Sequence, residues 1–219
     1  MTGGVADIAL EFLGRGGKKL RPRLCRAVFE KCGGRGSPDA LCGAVECFHK
    51  ASLVHDDIQD GDEERYGRPT VWKEHGVPMA IAVGDWLVAH GYKMICESGF
   101  AAVPQMLRVA VVSHKRLCEG QGDDIIRALR AQRAFDSAAY VSICERKTGE
   151  AFALAAQLGA LAAGADDASF RRYGLSFGIL FQINDDLADG GSPADLIALK
   201  AKYEDETAFH RDQCAIGVW

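Results

Sequence analysis

Residues 39–60 read DALCGAVECFHKASLVHDDIQD, and this stretch carries the strongest indications of both fold class and chemistry. Apolar side chains recur along it every three or four residues, at Leu41, Val45 and Phe48, which is the spacing of one face of an α-helix. The stretch closes at positions 56–60 with DDIQD, a D-D-x-x-D run. The pattern therefore predicts a long helix with three carboxylates at its C-terminal end.

The same acidic pattern returns far along the chain, where residues 185–189 read DDLAD. In a helix the first and last Asp of each run share one face, and their carboxylates repel one another unless a cation is present. The negative end of the helix dipole strengthens that preference. Magnesium binds through a few carboxylates, waters and substrate phosphates. Two such runs facing each other predict a clamp for a metal-bound diphosphate.

Composition and periodicity favour one helical domain. The 219 residues, 48% hydrophobic and 26% charged, are enough for a single large domain, which we take as residues 1–219. No long segment alternates apolar and polar residues, so strands are not expected. The predicted fold class is all-α, a helical bundle around a central cavity. The predicted helices cover residues 20–31, a long segment from Asp39, and residues 79–98, 109–131, 137–148, 151–164 and 169–189.

Charge, cysteine content and hydropathy exclude several classes of protein. A net charge of −4 argues against binding to nucleic acid through phosphate neutralisation. The 8 cysteines form no C-x-x-C pair, which favours free thiols in a reducing compartment. The longest apolar stretch, residues 151–165, is too short to cross a membrane, and residues 1–13 lack the apolar core of a signal peptide. We therefore expect a cytoplasmic protein without a membrane span.

Five short elements together indicate a family. In chain order they are GGKKLRP at 16–22, HKASLVHDDIQDGDEERYGRPT at 49–70, GQGDD at 120–124, KT at 147–148 and FQINDDLAD at 181–189. This order resembles the trans-isoprenyl diphosphate synthases, the polyprenyl synthetase family, and within it the geranylgeranyl and polyprenyl diphosphate synthases. One D-D-x-x-D run alone would be a weak signal, whereas five elements in family order are specific. The resemblance implies the isoprenoid synthase-type helical bundle.

The resemblance also implies a magnesium-dependent prenyltransferase. An allylic diphosphate ionises, the double bond of isopentenyl diphosphate attacks the cation, and a proton is lost, which gives an all-trans polyprenyl diphosphate. Basic side chains and Mg²⁺, three ions as the resemblance implies, stabilise the charge that develops on the departing pyrophosphate. An apolar cavity keeps water away from the cation. A homodimer is implied as well.

Carried over position by position, the resemblance assigns three groups of site residues. The metal ligands would be Asp56, Asp57, Asp60, Asp185, Asp186 and Asp189, with Asp56, Asp60 and Asp185 binding directly. The catalytic set that holds the allylic diphosphate would be Arg65, Lys147, Thr148 and Gln182. The diphosphate of isopentenyl diphosphate would be held by Lys18, Arg21 and His49, with Gln121 as a supporting residue.

The chain departs from the family pattern in two places. The family has two adjacent arginines after the first acidic run, whereas this chain has Arg65 followed by Tyr66. Tyrosine carries no charge and cannot form a bidentate fork, so the affinity for isopentenyl diphosphate is expected to fall or the pocket to be rearranged. After the second run, Lys200 is only a loose match for the family's glycine-lysine pair, and the chain is expected to be short at both ends.

Two small residues in the predicted helix from Asp39, which carries the first acidic run, suggest the product length. We expect the prenyl tail to grow along this helix, where one turn of roughly 5 Å matches about one isoprene unit. Ala51 and Ser52 lie one turn before the first acidic run and would let the tail pass. Phe48, a further turn away, would form the floor. The expected product is therefore C20 or longer, with a limit near C20 to C25.

Two other functions remain open from the sequence. Tyr66 is compatible with a transferase or cyclase that ionises a prenyl diphosphate without using isopentenyl diphosphate, although Lys18, Arg21 and His49 oppose it. The short C-terminal region is compatible with a non-catalytic subunit of a heteromeric synthase, which the two complete acidic runs oppose.

Overall fold

The computed structural model describes residues 3–129, 136–188 and 194–214. Within those ranges the regular secondary structure is helical apart from one hairpin of two two-residue strands, which confirms the all-α prediction. The α-helices are α1 Val5–Gly14, α2 Leu20–Lys31, α3 Asp39–Asp60, α4 Val71–His75, α5 Val77–Cys96, α6 Val103–Leu129, α7 Ser137–Cys144, α8 Glu150–Ala162, α9 Ala168–Ala188 and α10 Ala194–Cys214. A π-helical segment covers Glu145–Gly149, and the strands are β1 Glu64–Arg65 and β2 Arg68–Pro69.

Several boundaries differ from the predictions. The expectation of no strands misses the antiparallel pair of β1 and β2, which is too short to show a period of two. Helix α4 was also not predicted. Helix α6 begins at Val103, so Pro104 lies in its first turn, where the missing proline N–H would be unpaired in any case. Positions 130–131 of the predicted helix and Asp189 lie outside the described residues.

The predicted helices at 137–148 and 151–164 form one continuous helical stretch. Helix α7 passes through the π-helical segment into α8 without a turn. At the junction Gly149 has helical dihedrals, φ −57° and ψ −43°. A Cβ there would lie 3.1 Å from the carbonyl oxygen of Leu175 in α9. Glycine is therefore used at this position for close packing of two helices rather than for a turn.

The described chain forms two compact units. One unit contains the described residues up to Arg23 and Asp39–Gly99, and the other contains Leu24–Pro38 and the described residues from Phe100 onward.

In the first unit, α3 packs against α5 and α1. Phe12, Val54 and Leu87 are buried in the shared core. A Cβ at Gly91 in α5 would lie 2.7 Å from the ring of Phe48, so the two helices approach closely at this level. These contacts support α3 along its length, and the first acidic run lies at its C-terminal end.

In the second unit, α9 packs against α8 and α10. The small-residue helix α8 is almost entirely buried, as its composition predicts. Tyr140 from α7 joins Ile179, Ile183 and Tyr203 in a second core cluster. This cluster lies just before the second acidic run and holds the end of α9. Among the described residues, none of the helices combines the length and the hydropathy that a membrane-spanning segment needs.

Candidate active site

The first acidic run places its three carboxylates in three different environments. Asp57 is buried, and its Oδ1 accepts a hydrogen bond from Arg65 Nε at 2.5 Å. Its Oδ2 is also buried and has no hydrogen-bond partner among the described residues. Burial raises the pKa of Asp57, and the bond from Arg65 opposes that rise. Asp56 is half-buried and Asp60 is exposed, so Asp57 is engaged with the protein and Asp60 faces solvent.

The hairpin after α3 holds Arg65 over this run. Its guanidinium bonds Asp57 through Nε and Asp62 through Nη2, the latter at 3.1 Å. The hairpin is itself fastened, since Thr70 Oγ1 and Trp72 Nε1 donate to the carbonyl oxygen of Asp62 at 2.9 and 2.7 Å. The predicted phosphate ligand Arg65 is therefore positioned at the acidic run by two carboxylates.

Arg21 and His49, two of the residues predicted to hold isopentenyl diphosphate, are brought together. Arg21 Nη1 lies 3.4 Å from His49 Nε2, and since arginine can only donate, Nε2 accepts. Burial and then the charges of Arg21, Lys50 and Arg65 hold the pKa of His49 well below its usual value. Burial also lowers the pKa of Arg21 to about 10. The result is a neutral histidine beside a half-buried cation, with exposed Lys18 on the loop before α2.

Lys50 is a residue of this site that the sequence interpretation missed. It is fully buried, and its ammonium donates to the carbonyl oxygens of Arg15 and Gly16 at 2.7 and 2.9 Å. Burial lowers its pKa to about 8, and the charge of Glu46 opposes that change. The signal was its position on the helix: Lys50 shares the buried face of α3 with Cys47 and Val54, where an apolar residue is expected.

The second acidic run is embedded in a chain of hydrogen bonds. Asp186 accepts from Tyr140 Oη at 2.5 Å and from Gln182 Nε2 at 2.8 Å. Thr148 Oγ1 donates to Gln182 Oε1 at 2.6 Å, so two predicted catalytic residues meet here. Asp185 is exposed. Both oxygens of Asp186 have protein donors, which leaves Asp185 as the more accessible carboxylate.

Tyr140 is the second residue missed from the sequence, because it belongs to none of the five motif elements. Burial and then its bond to Asp186 raise the pKa of this phenol, so it stays protonated and acts as a donor. Asp189 lies outside the described residues, and its assignment as a ligand stays a prediction.

Lys147 is paired with a carboxylate of α6. Its Nζ lies 2.7 Å from Asp124 Oδ2, and Arg127 Nη2 lies 3.1 Å from Asp124 Oδ1. Burial acts to raise the pKa of Asp124, but the bonds and charges of Lys147 and Arg127 bring it below its usual value. Gln121 is half-buried one turn earlier on α6. Asp124 therefore fixes the direction in which Lys147 points.

The carboxylates of the two acidic runs suit a cation that is also bound by water and by substrate phosphates. Within the described ranges, no three His, Cys, Asp or Glu side chains converge on one metal position. Magnesium usually takes only one or two protein carboxylates and completes its shell with water and substrate phosphates. In the first unit Asp56 and exposed Asp60, and in the second unit exposed Asp185, offer oxygen donors of that kind. Metal binding itself stays a prediction.

Comparison with known proteins identifies the family. A family model described as Polyprenyl synthetase matches residues 4–200. The chain belongs to the polyprenyl synthetase family. It is 36% identical over 179 residues to a short chain isoprenyl diphosphate synthase of Methanothermobacter thermautotrophicus, covering 80% of this chain and 54% of the relative. It is 37% identical over 179 residues to a geranylgeranyl diphosphate synthase of Mycobacterium tuberculosis, covering 80% and 51%.

The fold has a solved counterpart as well. The structure of an isoprenoid synthase family member from Thermotoga neapolitana matches with a TM-score of 0.83 at 25% identity, over 98% of this chain and 84% of that one. The isoprenoid synthase-type fold is thereby confirmed. The polyprenyl synthetase chain described here spans about half the length of the two curated relatives it matches.

Proposed function

We propose that this protein is a magnesium-dependent prenyltransferase that condenses an allylic diphosphate with isopentenyl diphosphate. The observation that supports this most directly is the neutral His49 beside Arg21, with exposed Lys18 on the loop that precedes Arg21, in a chain of the polyprenyl synthetase family. The half-buried guanidinium of Arg21 and the exposed ammonium of Lys18 suit a diphosphate, which is a multiply charged oxygen anion. The relatives' names agree with a prenyl diphosphate synthase.

The two substrates would use different residues. Lys18, Arg21 and His49 would bind the diphosphate of isopentenyl diphosphate. Lys147 and Arg65 would bind the allylic diphosphate, with Thr148 and Gln182 as hydrogen-bonding groups. Magnesium, when bound, would supply positive charge to the departing pyrophosphate. Asp56, Asp60 and Asp185 would hold the metal, while Arg65 and Tyr140 fix their neighbours Asp57 and Asp186 in place.

We further propose a product of C20 or longer. Ala51 is buried, Ser52 is exposed with its Oγ donating to the His49 carbonyl at 2.8 Å, and neither side chain is large. Phe48 instead packs edge-on against Tyr92 at 5.0 Å between ring centroids. Ser52→Phe is expected to shorten the product, as measured by chromatography of dephosphorylated prenols, and an unchanged product length would contradict this assignment.

One assay tests the proposed reaction. The protein is incubated with Mg²⁺, radiolabelled isopentenyl diphosphate and each of three allylic primers. Label in longer prenols supports the proposal, and omission of Mg²⁺ should abolish it. We also expect a homodimer, which sedimentation measures.

Two other outcomes correspond to other functions. Diphosphate release without label incorporation would indicate a transferase or cyclase that does not use isopentenyl diphosphate, the function that Tyr66 favours. No turnover would indicate a non-catalytic subunit.

A further inference from the structure

The ammonium of Lys50 is directed at three acceptors. Its side chain is fully buried, and Nζ lies 2.7 Å from the carbonyl oxygen of Arg15 and 2.9 Å from that of Gly16. Nζ also lies 4.2 Å from the centroid of the Tyr66 ring. An ammonium carries three hydrogens, and two carbonyls and one aromatic face account for all of them. The Lys50 ammonium therefore interacts with the segment before α2 and with the tip of the hairpin between β1 and β2.

The Tyr66 ring lies against the same segment. A Cβ at Gly16 would lie 3.2 Å from carbons of the Tyr66 ring, and one at Gly17 would lie 3.3 Å from its hydroxyl oxygen. Gly17 has φ +109°, which a larger residue rarely adopts. Tyr66 itself has φ +57°, an unfavourable conformation for a bulky residue that the surrounding contacts must stabilise. The ring, the two glycines and Lys50 thus form one packed group.

Residues 15–17 are also held in place by the side chain of Arg15. Arg15 is buried, and its Nη1 donates to the carbonyl oxygen of Pro69 at 2.8 Å while Nη2 lies 3.3 Å from Glu74. Lys18 follows two residues after Gly16, and Arg21 follows in the first turn of α2. Any movement of this segment would displace the two cations assigned to isopentenyl diphosphate.

We propose that Lys50 and Tyr66 are a pair of positioning residues that clamp residues 15–17 and thereby set the affinity of Lys18 and Arg21 for isopentenyl diphosphate. This inference rests on the proposed function. It also explains Tyr66: an arginine there would bring a second cation close to the buried ammonium, whereas an aromatic face attracts it. The pKa of about 8 leaves Lys50 protonated at pH 7.

The test uses Lys50→Met, Tyr66→Leu, Tyr66→Phe and the double variant K50M/Y66L, with exposed Lys93→Met as a control. Lys50→Met and Tyr66→Leu are expected to raise the KM for isopentenyl diphosphate about tenfold, with kcat and the KM for the allylic primer within about twofold. Tyr66→Phe keeps the ring and should raise that KM much less than Tyr66→Leu. The double variant should be no worse than either single variant, because both remove the same clamp.

A second measurement does not depend on turnover. Trypsin cleavage after Lys18 and Lys19 should be several-fold faster in Lys50→Met and Tyr66→Leu than in the wild type and the Lys93→Met control, since release of residues 15–17 lets this exposed loop open locally and enter the protease site. Tyr66 is partly exposed, so Tyr66→Leu keeps the test valid if Lys50→Met does not fold.

Three results would overturn the proposal: equal rises in both KM values, additive effects in the double variant, or unchanged cleavage rates. If the wild type incorporates no label, the proposed function fails, and the cleavage rates alone still decide whether the clamp exists.

Discussion

Replacing Arg65 by methionine is expected to destabilise the protein strongly at pH 7 and much less at pH 5. The Asp57 side chain is 1% exposed, and its only protein hydrogen bond among the described residues comes from Arg65 Nε at 2.5 Å. Methionine has a similar length but cannot donate a hydrogen bond. The substitution therefore leaves a carboxylate buried and unpaired.

Two limits set the expected loss in the free energy of unfolding. Removing one partner of a buried pair costs about 3–5 kcal/mol. Asp57 can avoid the full cost by taking up a proton, which for a carboxyl with an ordinary pKa near 3.9 costs about 4 kcal/mol at pH 7 and about 1.5 kcal/mol at pH 5. Burial already raises the pKa of Asp57, and loss of Arg65 raises it further, so the penalty grows as pH rises. The expected loss is about 3 kcal/mol at pH 7 and at most about 1.5 kcal/mol at pH 5.

Urea unfolding at both pH values, with EDTA to remove metal, measures these losses. Arg68→Met is the matched control, because Arg68 lies in the same hairpin but pairs with Glu11 at the surface, and it should cost less than about 1 kcal/mol. Adding Asp57→Asn to Arg65→Met should recover much of the stability by removing the buried charge. An equal loss at pH 7 and pH 5, or a loss in Arg68→Met as large as in Arg65→Met, would contradict the buried, unpaired Asp57 carboxylate as the cause.

Three further outcomes are expected. Gly174→Ala should destabilise the protein by about 1–3 kcal/mol in urea unfolding, because its Cβ would lie 2.6 Å from the carbonyl oxygen of Phe152. A Cβ at Gly14 would meet nothing within 4 Å, so Gly14→Ala should not destabilise the protein. Because the pKa of His49 is low in the folded protein, the free energy of unfolding should fall as pH drops below about 6.5, where His49 binds a proton in the unfolded chain but not in the folded chain. His49→Gln should make the free energy of unfolding less dependent on pH in this range. Tyr140→Phe removes the donor to Asp186 and should lower kcat about tenfold in the prenyl transfer assay, whereas unchanged kcat would show that the bond is only structural.

The positions of the helices that carry the motifs were predictable because their signals are local. The helix at 20–31 has the predicted bounds, and α3 begins at Asp39 and ends with the first acidic run, as its periodicity indicates. The hairpin at 64–69 and the π-helical segment were not predictable, because each is only a few residues long and too short for a period to appear.

The roles of individual aspartates were less accessible. The sequence presents Asp56, Asp57 and Asp60 as one run, and the structure separates Asp57 by burying it against Arg65. Asp186 differs from Asp185 in the same way, because Tyr140 and Gln182 donate to both of its oxygens. Such differences depend on partners that the motif spacing does not specify.

The family, the all-α class and the two helix ends that carry the carboxylates follow from the sequence alone, because motif spacing and helical periodicity extend over only a few residues. The contacts of Lys50 and Tyr66, in contrast, are visible only in the folded chain. Lys50 reaches a carbonyl 35 residues earlier in the chain, and Tyr66 lies over the same segment from a hairpin tip. Contacts between residues so far apart in the chain arise from packing of α1, α3 and the hairpin, which no local pattern encodes.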